Sequence, residues 1–108
     1  MTDLPVRGQL LALASEATCG QRNLAYGDPS VQLALAGQLK HLCHSFFHAG
    51  KDVRHIKAAE WEAIDMCLTK LSRIVMGPVI TKDTYIDLAA YAAIAGECAL
   101  KDQPDANE

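Results

Sequence analysis

TKDTYIDLAAYAAIAGECAL, residues 81–100, is the most informative stretch of the sequence, because its apolar residues occupy every angular sector of a helix. Thr81 is placed to cap the N-terminus with its hydroxyl, and Asp83 falls in the first turn, where the helix dipole favours a carboxylate. A helix that is hydrophobic all round is normally packed on more than one side. We therefore predict a buried last helix and, since so small a domain offers it few neighbours, a homo-oligomer built partly on this helix.

Asp87 is the main chemical clue within this stretch. Its only charged companion in the apolar run is Glu97. A carboxylate at a helix–helix interface needs a cation, a metal ion or several donors to offset the loss of solvation. Asp83 lies one turn earlier on the same face, and two like charges at that spacing favour a cation between them. The expected partner of Asp87 is Lys70 or Arg73 of the preceding helix, or a bound divalent ion.

The composition excludes several classes of protein. The chain has 108 residues, half of them hydrophobic, and a net charge of −3. This predicts one domain spanning residues 1–108, with a polar tail from about residue 102. No basic excess indicates a nucleic-acid partner, and no apolar run is long enough to span a bilayer. The N-terminus lacks the order of a signal peptide, which predicts a cytoplasmic location.

The cysteine pattern agrees with a reducing compartment. Four cysteines are present and none forms a CxxC pair. They are predicted to be small buried apolar residues rather than a disulfide or zinc set. The four are Cys19, Cys43, Cys67 and Cys98.

Hydrophobic periodicity predicts three further helices and hence an all-α, four-helix bundle-like fold. They span about Pro5–Thr18, Pro29–Ala49 and Lys57–Met76. Asp28 before Pro29 is an N-cap signal, and Gly27 before it predicts a turn. The stripes predicted to be core are Leu35, Leu39, Leu42, Cys43 and Phe46 in the second helix, and Trp61, Ile64, Leu68, Leu71 and Val75 in the third.

Two polar patterns on these helices have more than one interpretation. His41, His44 and His48 share a face of the second helix, where imidazoles at this spacing could bind a transition metal or simply form a solvated or subunit-contact face. We expect no structural metal there. Glu62 and Asp65 lie one turn apart on the third helix, the spacing of a divalent-metal clip and equally of an ordinary solvated face.

Several stretches carry a family resemblance. In order they are LPVRGQLL at 4–11, Arg22 with YGDP at 26–29, KLSR at 70–73 and KDTYIDLAAYAA at 82–93. Together they resemble a group of small phage-encoded proteins of uncharacterised function. Those proteins in turn resemble the MazG-like, all-α nucleoside triphosphate pyrophosphohydrolases.

The resemblance implies subunits that dimerise or tetramerise and hold Mg²⁺ with carboxylates from two helices. It implies hydrolysis of a nucleotide between the α and β phosphates, which releases a monophosphate and pyrophosphate. Mg²⁺ would neutralise phosphate oxygens and activate water, while Lys or Arg would stabilise developing charge. On this basis the expected residues are Asp87, Lys70 and Arg73 for catalysis, Arg22, Tyr26 and Tyr91 for nucleotide binding, and Glu62, Asp65, Asp83 and Asp87 for the metal.

The chain departs from the superfamily pattern of an ExxE pair on one helix and an ExxD pair on the next. Glu62 and Asp65 are candidates for the second pair, but the second helix has no carboxylate between Val31 and Gly50. Three functions remain open: a Mg²⁺-dependent nucleotide pyrophosphohydrolase; a non-catalytic phage accessory protein that binds a nucleotide or a host protein, for example to inhibit a host defence; and a helical oligomer whose acids only pair with basic side chains.

Overall fold

The computed structural model describes residues 3–20, 27–79 and 81–101. Within these ranges the chain is helical with no strand, and its four helices are α1 (Val6–Cys19), α2 (Pro29–Ala49), α3 (Ala58–Met76) and α4 (Lys82–Leu100). The predicted all-α class is confirmed, and each helix begins and ends within one residue of its predicted bounds. None of these four helices combines the length and the apolar character needed to cross a membrane.

Among the four described helices, α2 has a side-chain N-cap, whereas α1, α3 and α4 have none. Asp28 caps α2, since its Oδ1 accepts hydrogen bonds from the Ser30 N–H (2.9 Å) and hydroxyl (2.8 Å), which lower the pKa of the Asp28 carboxyl. Gly27 has a φ of 75°, and a side chain there would press on Pro78. At α4 the predicted cap is wrong in detail. Thr81 occupies the N-cap position, but its hydroxyl pairs with the Thr84 hydroxyl instead of a backbone N–H.

Helix α3 lies in the middle of a three-helix layer, with α2 on one side and α4 on the other. The pairs His44–Asp65 and Phe47–Trp61 show that α2 runs antiparallel to α3. Two contacts fix the position of α4 against α3. They are the Lys70–Asp87 ion pair and the contact of the Cys67 thiol with the Leu88 carbonyl. Within the described residues α1 has no extensive packing against another helix.

Little of the apolar surface is covered by this arrangement. Ala36 and Ala63 are the only apolar residues found buried in the described parts of the chain. The radius of gyration is 17.8 Å, compared with about 13 Å for a compact domain of this length. The prediction that α4 is buried is therefore wrong for the single chain: α4 has one close neighbour, and Thr84 is its only buried residue.

The predicted core stripes of α2 and α3 are also wrong in part for the single chain. Leu35, Leu39, Trp61, Ile64 and Leu68 are half-buried, whereas Leu42, Cys43, Phe46, Leu71 and Val75 are exposed. Of the four cysteines predicted to be buried, Cys19 and Cys43 are exposed and the other two half-buried, and all four are free thiols. The physical reason is that a single layer of helices covers only the sides where neighbours touch.

The two sides of the layer differ in composition. At 100° per residue, and with the neighbours of each helix fixed by the contacts above, the exposed residues of the predicted stripes other than Cys43 fall on one side. We call this side the apolar face; it comprises Leu39, Leu42 and Phe46 of α2, Leu71 and Val75 of α3, and Tyr85, Ala92 and Gly96 of α4. The opposite side, the polar face, comprises Glu62 and Arg73 of α3, Asp83 and Asp87 of α4, and Leu33, Gly37 and His44 of α2.

Candidate functional site

An ion pair between α3 and α4 forms the centre of the candidate site. Lys70 Nζ lies 3.2 Å from Asp87 Oδ2. The Lys70 side chain is 10% exposed, whereas the Asp87 side chain is 50% exposed. The expected cationic partner from the third helix is thus present, but Asp87 is not withdrawn from solvent as predicted. The buried member of the pair is the lysine, and the carboxylate remains accessible from the polar face.

Three other predicted residues lie close to this pair along the helices. Asp83 is exposed one turn before Asp87, and Tyr91 is half-buried one turn after it. The antiparallel register that places Lys70 opposite Asp87 puts Arg73, one turn further along α3, level with Asp83. Two acids and two bases are therefore grouped at one end of the α3–α4 contact.

The Glu62–Asp65 pair is separate from this group. Glu62 is exposed and precedes Lys70 by eight residues, about 12 Å along the helix axis. Asp65 faces α2, where its Oδ1 accepts a hydrogen bond from His44 Nε2 at 3.1 Å. The four carboxylates expected to bind metal therefore lie in two places. In the described ranges no three His, Cys, Asp or Glu side chains are grouped so that they could hold a metal ion.

His44 belongs to an aromatic junction that the sequence did not predict. Its ring stacks on Trp61 with centroids 4.0 Å apart and planes 24° apart. Phe47 meets the same indole edge-on at 5.1 Å, and His48 lies 6.5 Å from His44. Histidine periodicity placed His44 on a solvated or subunit-contact face, whereas its contacts join α2 to α3. The sequence feature that could have predicted this contact is the presence of Asp65 on the next helix, because an antiparallel pair of helices can bring it next to a histidine of α2.

A second buried charge on α3 also went unpredicted. Glu60 is 3% exposed and accepts two hydrogen bonds from Arg54, one of them 2.9 Å from Nη1 to Oε1. These bonds hold the pKa of the Glu60 carboxyl below its ordinary value and raise the pKa of Arg54. Both residues line a shallow groove against Gly96 and Ala99 of α4, near the apolar face. Two of the predicted nucleotide-binding residues, Arg22 and Tyr26, lie outside the described residues.

Comparison with known proteins identifies a family without a known activity. No curated protein and no solved structure shows significant similarity to the chain. A family model described as a domain of unknown function, DUF6378, matches residues 9–99, which include most of α1 and all of α2 and α3. The chain therefore belongs to the DUF6378 family.

Proposed function

We propose that this protein binds a nucleotide together with Mg²⁺ at the Lys70–Asp87 end of the polar face, as a MazG-like pyrophosphohydrolase or a degenerate relative of one. The observation that carries the proposal is the asymmetry of the ion pair. Within the described part of the chain, the buried Lys70 ammonium pairs with the half-exposed carboxylate of Asp87, so the positive charge is held in place while part of the carboxylate faces solvent. Fixed charges of this kind suit phosphate chemistry, because they need no reorganisation when charge develops.

The residues near the pair suit an ion that arrives with phosphates. Mg²⁺ is commonly bound by one or two carboxylates together with substrate phosphates and water. Asp87 has a half-exposed side chain, and the exposed Asp83 lies one turn away. These two residues would hold the ion directly. Glu62 and Asp65 would lie outside its inner ligand shell, or would be supplied by a partner subunit. When bound, Mg²⁺ would neutralise phosphate oxygens and lower the pKa of a coordinated water.

The basic side chains have a distinct role in this proposal. Lys70 donates three N–H groups, and Asp87 occupies one direction of the ammonium. Arg73, level with Asp83, presents a planar guanidinium that suits phosphate oxygens. Tyr91, one turn beyond Asp87, is the described residue we assign to nucleotide contact, together with Arg22 and Tyr26. The basic groups orient the phosphates and stabilise the charge that forms on a pyrophosphate leaving group.

A second candidate function is supported by a different contact. Asp65, a candidate ligand, is already hydrogen-bonded to His44 of α2, the helix that lacks carboxylates. A carboxylate bound in this way is less available to a metal, which favours a protein that binds without hydrolysing. In this version the chain is a phage accessory protein that binds a nucleotide or a host protein, for example to inhibit a host defence.

In either version we expect the protein to act as a homo-oligomer in the cytoplasm, which is the host cytoplasm if the chain is phage-encoded. The apolar surface that α4 leaves uncovered supports the oligomer, because such surface is normally buried against another element.

The test is the Asp87→Asn variant, which keeps the side-chain shape and removes the charge. We expect Mg²⁺-dependent nucleotide binding to fall on the order of 100-fold, since both the metal and the fixed Lys70 depend on this carboxylate. Pyrophosphate release from a panel of nucleoside triphosphates and titration calorimetry with Mg²⁺ and nucleotide are the measurements. Glu97→Gln is the matched control, because Glu97 is an exposed carboxylate on the same helix.

The outcomes separate the two candidates. Pyrophosphate release by the wild type that Asp87→Asn abolishes supports the hydrolase. Nucleotide binding without release, lost in the same variant, supports the non-catalytic binder. Nucleotide binding that is absent from the wild type, or equal in all three proteins, would overturn the assignment of this site.

A further inference from the structure

The three-helix layer is incomplete as a folded unit. Stable domains consist of two or more packed layers around a shared core, because a helix with an apolar stripe must bury it against another element. Here α2, α3 and α4 form one layer, and α1 has no extensive packing against them within the described residues. Leu42, Phe46, Leu71 and Val75 are consequently exposed on the apolar face.

The exposed surface is large enough to include an uncovered interface. The chain exposes 8071 Å², whereas a compact monomer of 11.7 kDa exposes about 5,900 Å². Part of the excess of about 2,200 Å² is the surface of α1, which has no buried residue, and the rest includes the apolar face. A standard protein–protein interface buries roughly 800 Å² per partner, which is less than half of this excess.

The sequence pattern and the exposed surface coincide on this side of the layer. The apolar periodicity of α2 and α3 selects Leu35, Leu39, Leu42 and Phe46, and Ile64, Leu68, Leu71 and Val75, which fall together on this side of the layer. On α4 the side carries Tyr85, Ala92 and Gly96, and a Cβ added at Gly96 would meet nothing within 4 Å. Small residues there allow a second helix to approach closely.

We propose that the apolar face is covered by the same face of a second copy of this chain, so that two three-helix layers enclose one core. The eight residues that define the face carry no charge. In a two-fold interface each surface meets itself, and an uncharged surface does so without like-charge repulsion. The polar faces, with Asp83 and Asp87, then remain on the outside of the pair. This surface specifies the interface of the homo-oligomer in the proposed function, and it does not depend on the nucleotide chemistry.

Two leucines of α2 provide a matched test. Leu42 lies on the apolar face and is 54% exposed, while Leu33 projects from the opposite side of the α2 wheel and is 57% exposed. The two border opposite edges of one groove along the free side of α2. They are nine residues apart, half a rotation around the helix. Sedimentation equilibrium and light scattering would be carried out on the wild type, Leu42→Asp and Leu33→Asp. We expect a wild-type dimer, a dissociation constant raised at least about 100-fold by Leu42→Asp because a charge enters the interface core, and little change in Leu33→Asp.

Circular dichroism keeps the result interpretable. Both leucines are exposed in the single chain, so both variants should remain helical. If Leu42→Asp loses its helical signal, Val75→Asp carries the test at a 67% exposed position on α3. A wild-type monomer at high micromolar concentration overturns the proposal and indicates that α1 or another protein covers the face. A dimer that Leu33→Asp disrupts and Leu42→Asp does not overturns this surface while leaving the proposed oligomer intact.

Discussion

Helix α3 carries one buried charge of each sign, and the two are held in different ways. Glu60, near its N-terminus, is bound by both ends of the Arg54 guanidinium, which comes from the segment just before the helix. Lys70, near its C-terminal end, pairs with one oxygen of Asp87 on another helix, as far as the described residues show. Arg54 thus donates to both carboxylate oxygens of Glu60, whereas the half-exposed carboxylate of Asp87 contacts both Lys70 and solvent.

The difference separates structure from function. A bidentate arginine–carboxylate pair has fixed geometry and leaves little capacity for a ligand. A buried lysine with a single half-exposed partner retains donors, and its partner retains acceptors. By this criterion Glu60 stabilises the start of α3, and the Lys70–Asp87 pair is the site where binding is expected. Three experiments test the difference between the two ion pairs and between the two faces of the layer.

The largest effect is expected from removing one member of the Lys70–Asp87 pair. Asp87→Asn leaves the buried Lys70 ammonium without its counter-charge and should lower the free energy of unfolding by about 1–3 kcal/mol. Lys70→Met removes the buried charge and keeps the length of the side chain, so its stability should be close to that of the wild type. Urea unfolding at one fixed protein concentration measures both. A greater loss from Lys70→Met than from Asp87→Asn would contradict this account.

The Glu60–Arg54 pair should instead be visible in the pH dependence of stability. Because Arg54 holds the pKa of Glu60 below its ordinary 4.5, the stabilisation is complete above that value and is lost as pH falls through the lower folded-state pKa. We expect Arg54→Gln to lower the Tm by several degrees at pH 7, and the difference from wild type to shrink towards about pH 3.

Melting curves across this pH range provide the measurement. Asp52→Asn is the control, since Asp52 is an exposed acid close to the pair in sequence and should keep the wild-type pH profile. A Tm difference between wild type and Arg54→Gln that stays constant from pH 7 to about pH 3 would mean that the pair does not titrate as described.

The smallest effect is expected when a glycine on each face of the layer is replaced by alanine. Gly37 on the polar face and Gly96 on the apolar face are both within helices, and a Cβ at either position would meet nothing within 4 Å. Alanine in an open helical position stabilises by about 0.5–1 kcal/mol. We expect that gain from Gly37→Ala and a smaller gain or a loss from Gly96→Ala, because a second copy would approach that position. Equal gains in thermal unfolding would indicate that both faces are free.

Local features of the fold were predictable from the sequence. Helix bounds, the Asp28 cap and the Gly27 turn depend on interactions within a few residues, and such signals are written in the sequence itself. Which side of a helix becomes buried does not depend on local sequence alone. The periodicity of α2 and α3 predicted core stripes, but it could not show that the single chain leaves Leu42 and Val75 exposed.

The candidate site was predictable only in part, for a similar reason. Asp87 was conspicuous because it interrupts an apolar run, and the need to offset its charge predicted Lys70, Arg73 or a divalent ion as its partner. The structure shows that Lys70 is the partner. The burial of Lys70 and the pairing of His44 with Asp65 depend on the antiparallel register of different helices. No pattern within one helix fixes that register, so these contacts required a structure.

The order of the helices in the layer has a consequence for how the chain folds. Each long-range contact described here joins neighbours in sequence, α2 with α3 and α3 with α4, across short connections. Chains dominated by such local contacts close small loops and reach the folded state in microseconds to milliseconds. In the proposed dimer the helices of each layer would therefore pair first, and association of two copies would be the slow, concentration-dependent step that completes the core. At low expression the protein would exist as single layers with an open apolar face, and its stability would rise with its own concentration.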